Sequence, residues 1–371
     1  MSEPGGLFRP TIAGLIPYEP GKPVEAVQRE LGLDRVVKLA SNEGPFPPFP
    51  AAVEAIERSI RDLNRYPDGG VFALRSALAE QHGVAFEEIV VGGGADGVID
   101  LLSQATLDPG DEIVCGWPSF ASYPLDAAKL GAVTRKVPLR EHTYDLDGLL
   151  DAIGPRTKLV YVCHPNNPTG TANGRADLAA FLDRVPGHVL VVLDQAYFEY
   201  IDDPDFADGI AEHFAQGRRL VVLRTFSKIY GLAGLRVGYG VGPADVVAAT
   251  SKVRRAFDVT ATAQAAALAS LGDDAEIGRR RAVNAQGRAQ LAAILREQGL
   301  EPVGPAVGNF LFVDVGDGRA LFEQLLHQGV IVRPCGGFGA PEAIRISVGT
   351  PEEIAIFGEA LRTVRFAVPL P

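Results

Sequence analysis

Short, almost unbroken apolar runs recur through the first two thirds of the chain, at Ile89 to Val91, Glu112 to Cys115, Lys158 to Cys163, Val189 to Leu193, Leu220 to Leu223 and Val237 to Val241. Runs without polar alternation are what strands covered on both faces require. Stretches at helical spacing, such as Ala176 to Arg184, separate most of them, so the pattern predicts an α/β fold with a mainly parallel sheet and helices on both sides. Upstream, Val53, Ile56, Ile60 and Leu63 recur at spacings of three and four and predict a helix that buries that stripe. A second helix, with Leu74 and Leu78 inward, runs on to His82. Past Thr250 the texture changes to an alanine- and arginine-rich helix, Asp274 to Gln298, followed by strands at Asn309 to Val315 and Ile344 to Val348 and a helix at Ala320 to His327. This region reads as a smaller α+β unit. Three parts are therefore expected: a proline-broken arm over 1–40 belonging to the small domain, with a helix from Val24 to Leu31; a large domain over 41–250; and a small C-terminal domain over 251–371. No internal repeat is apparent.

A length of 371 residues agrees with two domains of roughly 100–200 residues each. With 47% hydrophobic and 22% charged residues the composition is that of a globular protein, and 42 glycines with 27 prolines fit many short loops. The net charge of −11 excludes nucleic acid and anionic membrane as general partners, while leaving room for a local basic pocket. Cys115, Cys163 and Cys335 lie far apart and form no CxxC pair, so they read as buried thiols in a reducing compartment; no metal site or disulfide framework is expected. The opening MSEPGGLFRP is not a signal peptide, and no run of about 18 apolar residues exists to span a bilayer. A cytoplasmic location is expected.

Candidate chemistry centres on LRTFSKIYGLAGLRVGY at 223 to 239, where Lys228 stands between the hydroxyls of Thr225 and Ser227 and eight residues before Arg236. A lysine among anion binders suits a phosphate-bearing aldehyde carried on its amine, and pyridoxal phosphate is the cofactor of that description. Taken alone, Lys228 could equally be a solvated surface lysine. VGGGADG at 91 to 97 matches GxGxxG between a strand and a helix. It offers backbone N–H groups to a phosphate. It also suggests a nicotinamide oxidoreductase, although no acidic residue ends a second strand about 20 residues later. A colourless protein that binds NAD would support that reading, and a yellow one bleached by borohydride on Lys228 would exclude it. Asn167 in HPNNPTG, and Asp194 and Tyr197 in DQAYFEY, each follow a predicted strand. A carboxylate there can pair with a protonated pyridine nitrogen, and the amide and phenol with a ring oxygen. Each has a plain alternative as turn former or helix cap.

Together, KLASNE, LNRYPDG, HPNNPTG and RTFSKIYGLAGLRVGY occur in an order that resembles the fold type I pyridoxal-phosphate aminotransferases along nearly the whole chain, most closely the histidinol-phosphate aminotransferases. The resemblance implies a large domain built on a mainly parallel, seven-stranded-type sheet. Lys228 would anchor the cofactor and shuttle the proton; Asp194 would hold its ring nitrogen, and Asn167 and Tyr197 its phenolic oxygen. Phe120 would stack on the ring. The backbone N–H groups of Ala95 and Asp96, with Thr225, Ser227 and Arg236, would hold the phosphate. Tyr66 would add a contact from a neighbouring subunit, making the active unit a homodimer.

The implied reaction is transamination of L-histidinol phosphate with 2-oxoglutarate, in histidine biosynthesis. Two strand arginines, Arg333 and Arg345, suit the substrate's dianionic phosphate and afterwards a dicarboxylate; Tyr18 and Asn42 complete the substrate candidates. Four positions depart from the usual pattern: Gly97 and Gln195 where acidic residues are common, Gly44 for an asparagine and Phe120 for a tyrosine. An aromatic-amino-acid aminotransferase on the same framework is the alternative.

Overall fold

The structure is a computed structural model and describes residues 6–15 and 21–364. Its strands, in chain order, are β1 (Val37–Lys38), β2 (Ile89–Gly92), β3 (Glu112–Trp117), β4 (Val133–Pro138), β5 (Thr157–Cys163), β6 (Leu190–Asp194), β7 (Leu220–Thr225), β8 (Gly238–Val241), β9 (Phe310–Asp314), β10 (Val330–Ile331), β11 (Arg333–Pro334) and β12 (Ala343–Ser347). Seven form one sheet in the order β2-β8-β7-β6-β5-β3-β4. Neighbours from β7 to β4 pair in parallel, and β8 alone is reversed, antiparallel to both β2 and β7. The expected mainly parallel sheet is present. Gly94–Thr106 and Ser122–Leu130 pack on one face, and Leu146–Ala152 with Arg175–Arg184 on the other.

Strand β4 was not expected. It reads VTRKVP and lies at the sheet edge, where most of its residues stay open to water, so it carries no apolar run to betray it. The glycine motif also takes on a different meaning. Strand β2, which precedes it, lies at the other edge beside the reversed β8, so it does not open the parallel βαβ unit that a dinucleotide fingerprint needs.

One expectation is corrected. The helix at Pro50–Ser59 forms, but of the stripe predicted to be buried only Ile56 packs against the core: Val53, and Ile60 and Leu63 just past the helix end, are 38%, 54% and 58% exposed, while Ala52 and Ala55 are buried. Its partner is Ala261–Ala269, another alanine-rich helix. Small side chains let the two axes close up, and the larger ones are left on the far side.

Two cores result. The first spans Phe49 to Ala267 in sequence and takes in Phe310 from β9; it includes Val259, Ala263 and Ala266, past the Thr250 division read from the sequence. The second joins Val27, Val37 and Leu39 to Leu291–Leu361, around a three-stranded sheet β11-β12-β9 and the parallel pair β1-β10. Among the described residues no helix is long and apolar enough to cross a membrane.

Candidate active site

The carboxyl ends of β5, β6 and β7 carry Cys163, Asp194 and Thr225, and β2 ends at Gly92 before the helix that starts at Gly94. These ends open on a cavity of about 340 Å³. It is lined by Ala95, Asp96, Phe120, Asn167, Asp194, Tyr197, Thr225, Ser227, Lys228 and Arg236 from the first core's elements, and by Asn42, Arg333 and Arg345 from the side of the second. All of these were singled out in the sequence. Tyr66 is elsewhere, 81% exposed and stacked on Phe257 at 4.5 Å between ring centroids. Tyr18 lies outside the described residues.

One end of the cavity is an anion cradle. At the N-terminus of Gly94–Thr106 the first N–H groups have no partner within the helix. Arg236, in the left-handed region at φ 55°, reaches over them: one guanidinium nitrogen donates to Ser227 Oγ at 3.2 Å and to the Ala233 carbonyl at 3.0 Å. The hydroxyls of Thr225 and Ser227 bond each other at 3.1 Å. Glycines make the fit possible. A Cβ on Gly94 would stand 2.6 Å from Arg236 Nη2, and one on Gly238 2.4 Å from the Ala95 nitrogen. A phosphate monoester suits this donor set.

In the middle, Lys228 Nζ donates to the Ser41 carbonyl at 3.4 Å and lies 5.4 Å from the Tyr197 ring centroid. Burial, then the nearby Arg345 charge, push its pKa down to about 8. Asp194 is buried, which raises its pKa, but its carboxylate accepts from Tyr123 Oη at 2.7 Å and from the Ala196 N–H at 3.1 Å, and both bonds favour the charged form. Tyr123 in turn stacks on Tyr161 at 4.4 Å and takes the edge of Phe120. Buried carboxylate, amine and phenol around one space fit a pyridine ring carrying a phosphate, an aldehyde and a hydroxyl.

The far end is cationic. Arg333 and Arg345 are directly paired in the β11–β12 register, so both side chains leave the same face. Arg345 donates to the Ala40 carbonyl at 2.7 Å and to Asn167 Oδ1. Phe338 lies against both guanidinium groups, 5.2 Å from Arg333 and 5.3 Å from Arg345. Sequence reasoning missed Phe338, Tyr123 and Ser347. Tyr123 follows Phe120 at helical spacing, and Ser347 is two residues past Arg345 and therefore on its face of the strand; Phe338 had no such signal.

Two departures have identifiable surroundings. Gly44 stands where a Cβ would be 3.2 Å from the Tyr200 hydroxyl. Gln195 is fully buried, donating to the Ala207 carbonyl at 2.8 Å and accepting from Arg224 at 3.0 Å.

Residues 34–361 match the family described as aminotransferase class I and II. The chain is 45% identical to the histidinol-phosphate aminotransferase of Moorella thermoacetica, over 96% of this chain and 92% of that one. It is 47% identical to the protein of the same name from Akkermansia muciniphila, over 95% and 97%. The crystal structure of histidinol-phosphate aminotransferase from Sinorhizobium meliloti, in complex with pyridoxal-5'-phosphate, has a TM-score of 0.89 to this fold at 29% identity and covers 98% of this chain and 100% of that one.

Proposed function

This chain belongs to the aminotransferase class I and II family, and from that premise we propose that its cavity moves the amino group of L-histidinol phosphate to 2-oxoglutarate, giving imidazole acetol phosphate and glutamate. The observation that carries the substrate is the arginine pair: two guanidinium groups side by side in strand register, held by Phe338, Asn167 and the Ala40 carbonyl, suit a dianionic phosphate.

Pyridoxal 5'-phosphate, when bound, supplies an electrophilic carbon for the amino group and a ring that withdraws electrons from the substrate's Cα. The cradle of Ala95, Asp96, Thr225, Ser227 and Arg236 would hold its phosphate, and Phe120 would cover its ring. Asp194, fixed by Tyr123 and Ala196, would sit at the ring nitrogen and keep it protonated. Asn167 and Tyr197 would bond the phenolic oxygen. Burial and then the Arg345 charge hold the Lys228 amine well below the ordinary lysine value, which enlarges the share of its neutral, proton-accepting form, and its Nζ would take the proton from Cα and return it. The arginines would bind the first substrate's phosphate and then a carboxylate of 2-oxoglutarate in the same place, which predicts ping-pong kinetics.

The working unit would be a homodimer. Tyr66 is absent from its own cavity, and Val53, Ile60, Leu63, Tyr66, Phe72 and Phe257 leave apolar surface on water. A second copy would cover it, with Tyr66 reaching the partner's cradle. Three buried free thiols suit a reducing cytoplasm. The two cores would be two domains, with the arm of residues 1–40 joining the C-terminal one.

The test is kcat/KM for histidinol phosphate against phenylalanine, each with 2-oxoglutarate, on one dimeric preparation. A preference of about 10- to 150-fold for histidinol phosphate is expected from charge-assisted bonds worth about 1.5–3 kcal/mol. A preference for phenylalanine would keep the lysine chemistry and remove the arginine pair from substrate choice.

A further inference from the structure

Asn42 lines the cavity, yet its polar groups are committed elsewhere. It is 1% exposed and sits in the left-handed region at φ 52°, which asparagine tolerates better than most residues. Its N–H donates to Ser347 Oγ at 2.8 Å, and Ser347 Oγ donates back to Asn42 Oδ1 at 3.0 Å. The Asn42 carbonyl accepts from Asn309 Nδ2 at 3.1 Å. With Oδ1 turned to Ser347, Nδ2 is left facing Tyr197 and donates to its oxygen at 2.9 Å.

We propose that Asn42 is a positioning residue which, clamped by Ser347, makes the Tyr197 oxygen an acceptor on one side and so directs the Tyr197 proton into the cavity. A phenol has one proton to give. If the Asn42 amide donates to it, that proton has to find another acceptor. The charged and titratable groups facing Tyr197 are Lys228, Arg345, Asp194, Cys163 and Tyr200. Arg345 is a cation, Lys228 would carry the cofactor on its amine, the thiol and Tyr200 are protonated, and the Asp194 oxygens are held by Tyr123 and Ala196. The open direction is the cavity, where the phenolic oxygen of the cofactor would accept it. Ser347 lies on β12 and Tyr197 follows β6, so a strand of the second core sets the donor direction of a phenol on the first.

The inference rests on the cofactor reading above and is tested separately from it. Wild type, Asn42→Asp, Tyr197→Phe and the double variant are loaded with pyridoxal phosphate, and the absorbance of the bound chromophore is titrated with pH. A donated hydrogen bond favours the anionic oxygen, so losing it raises the midpoint. Tyr197→Phe is expected to raise the midpoint by about 1 unit. Asn42→Asp, which draws the Tyr197 proton away from the cavity, should raise it comparably and add nothing in the Tyr197→Phe background. A shift that persists in that background is a direct effect of the new charge and overturns the proposal. So does an unmoved midpoint in Asn42→Asp while Tyr197→Phe shifts. If Tyr197→Phe itself leaves the midpoint in place, the cofactor reading of Tyr197 fails and the proposal falls with it. Thermal melting of the cofactor-free proteins checks folding. Should Asn42→Asp not fold, the neutral Ser347→Ala carries the same test: an upward shift that vanishes in the Tyr197→Phe background supports the proposal, and no shift overturns it.

Discussion

Two groups of hydrogen-bond donors suited to anions line one cavity, and they are built from different materials. The cradle at Gly94–Asp96 belongs wholly to the first core and is mostly backbone, with a helix end, two short hydroxyls and one arginine. The opposite site is two long arginines on the second core's strands, kept parallel by register, an aromatic ring and a carbonyl from the arm side of the chain. Backbone N–H groups are already fixed by the helix, so an anion there asks for little further ordering. Arginine side chains must be held against their own entropy and their mutual repulsion. The first construction suits a group that stays. The second suits one that enters and leaves.

The severest cut removes the amine that lies between the two sites. Lys228→Ala should abolish transamination while the fold persists, checked by single-turnover assay and circular dichroism; residual turnover near wild type would reassign the proton carrier. The same amine gives a pH signature in the cofactor-free protein. Its folded pKa, about 8, lies below that of an unfolded lysine, so the unfolded chain binds the proton more tightly between those values. The resulting destabilisation is complete below about pH 8 and disappears as the pH rises towards the ordinary lysine value near 10.4. Melting temperature should therefore rise over that window in wild type more than in Lys228→Met, and equal slopes would remove Lys228 as the cause.

Of similar size to the effect of Arg345→Ala is that of Gly238→Ala, which attacks the cradle through its backbone. The new Cβ would meet the Ala95 nitrogen at 2.4 Å, and neither partner can yield as a side chain could. Destabilisation of about 1–3 kcal/mol is expected in a denaturant titration, together with weaker cofactor binding by fluorescence. Unchanged affinity would mean that the helix end is not what holds the phosphate. On the opposite side, Arg345→Ala should lower kcat/KM in both half-reactions by about 10- to 150-fold, the equivalent of about 1.5–3 kcal/mol of charge-assisted bonding. Loss in only one half-reaction would show that the two substrates do not share this site. Ser227→Ala should have the smallest effect, weakening cofactor affinity by the worth of one hydrogen bond, about 0.5–1.5 kcal/mol, because the N–H groups remain. A larger loss would make the cradle a side-chain site after all and dissolve the contrast.

The sequence by itself determined the sheet and the order of the chemistry along it. Continuous apolar runs mark buried strands wherever they occur, and Asn167, Asp194 and Tyr197 are legible as candidates because each follows such a run. Short blocks around Lys228 and Arg236 carried their meaning locally, since spacing of a few residues survives into any fold. Strand β4 escaped because an edge strand needs few apolar residues. At the helix Pro50–Ser59 the predicted stripe holds only at Ile56 and fails at Val53, Ile60 and Leu63, because periodicity reports that a stripe exists and not whether the chain's own core or another surface covers it. Only the tertiary structure could decide contacts that join distant segments: Phe338 against two arginines, Tyr123 on Asp194, and Asn42 tied to Ser347 across 305 residues. Those partners are chosen by how two cores pack against one another, and no local pattern of residues encodes that choice.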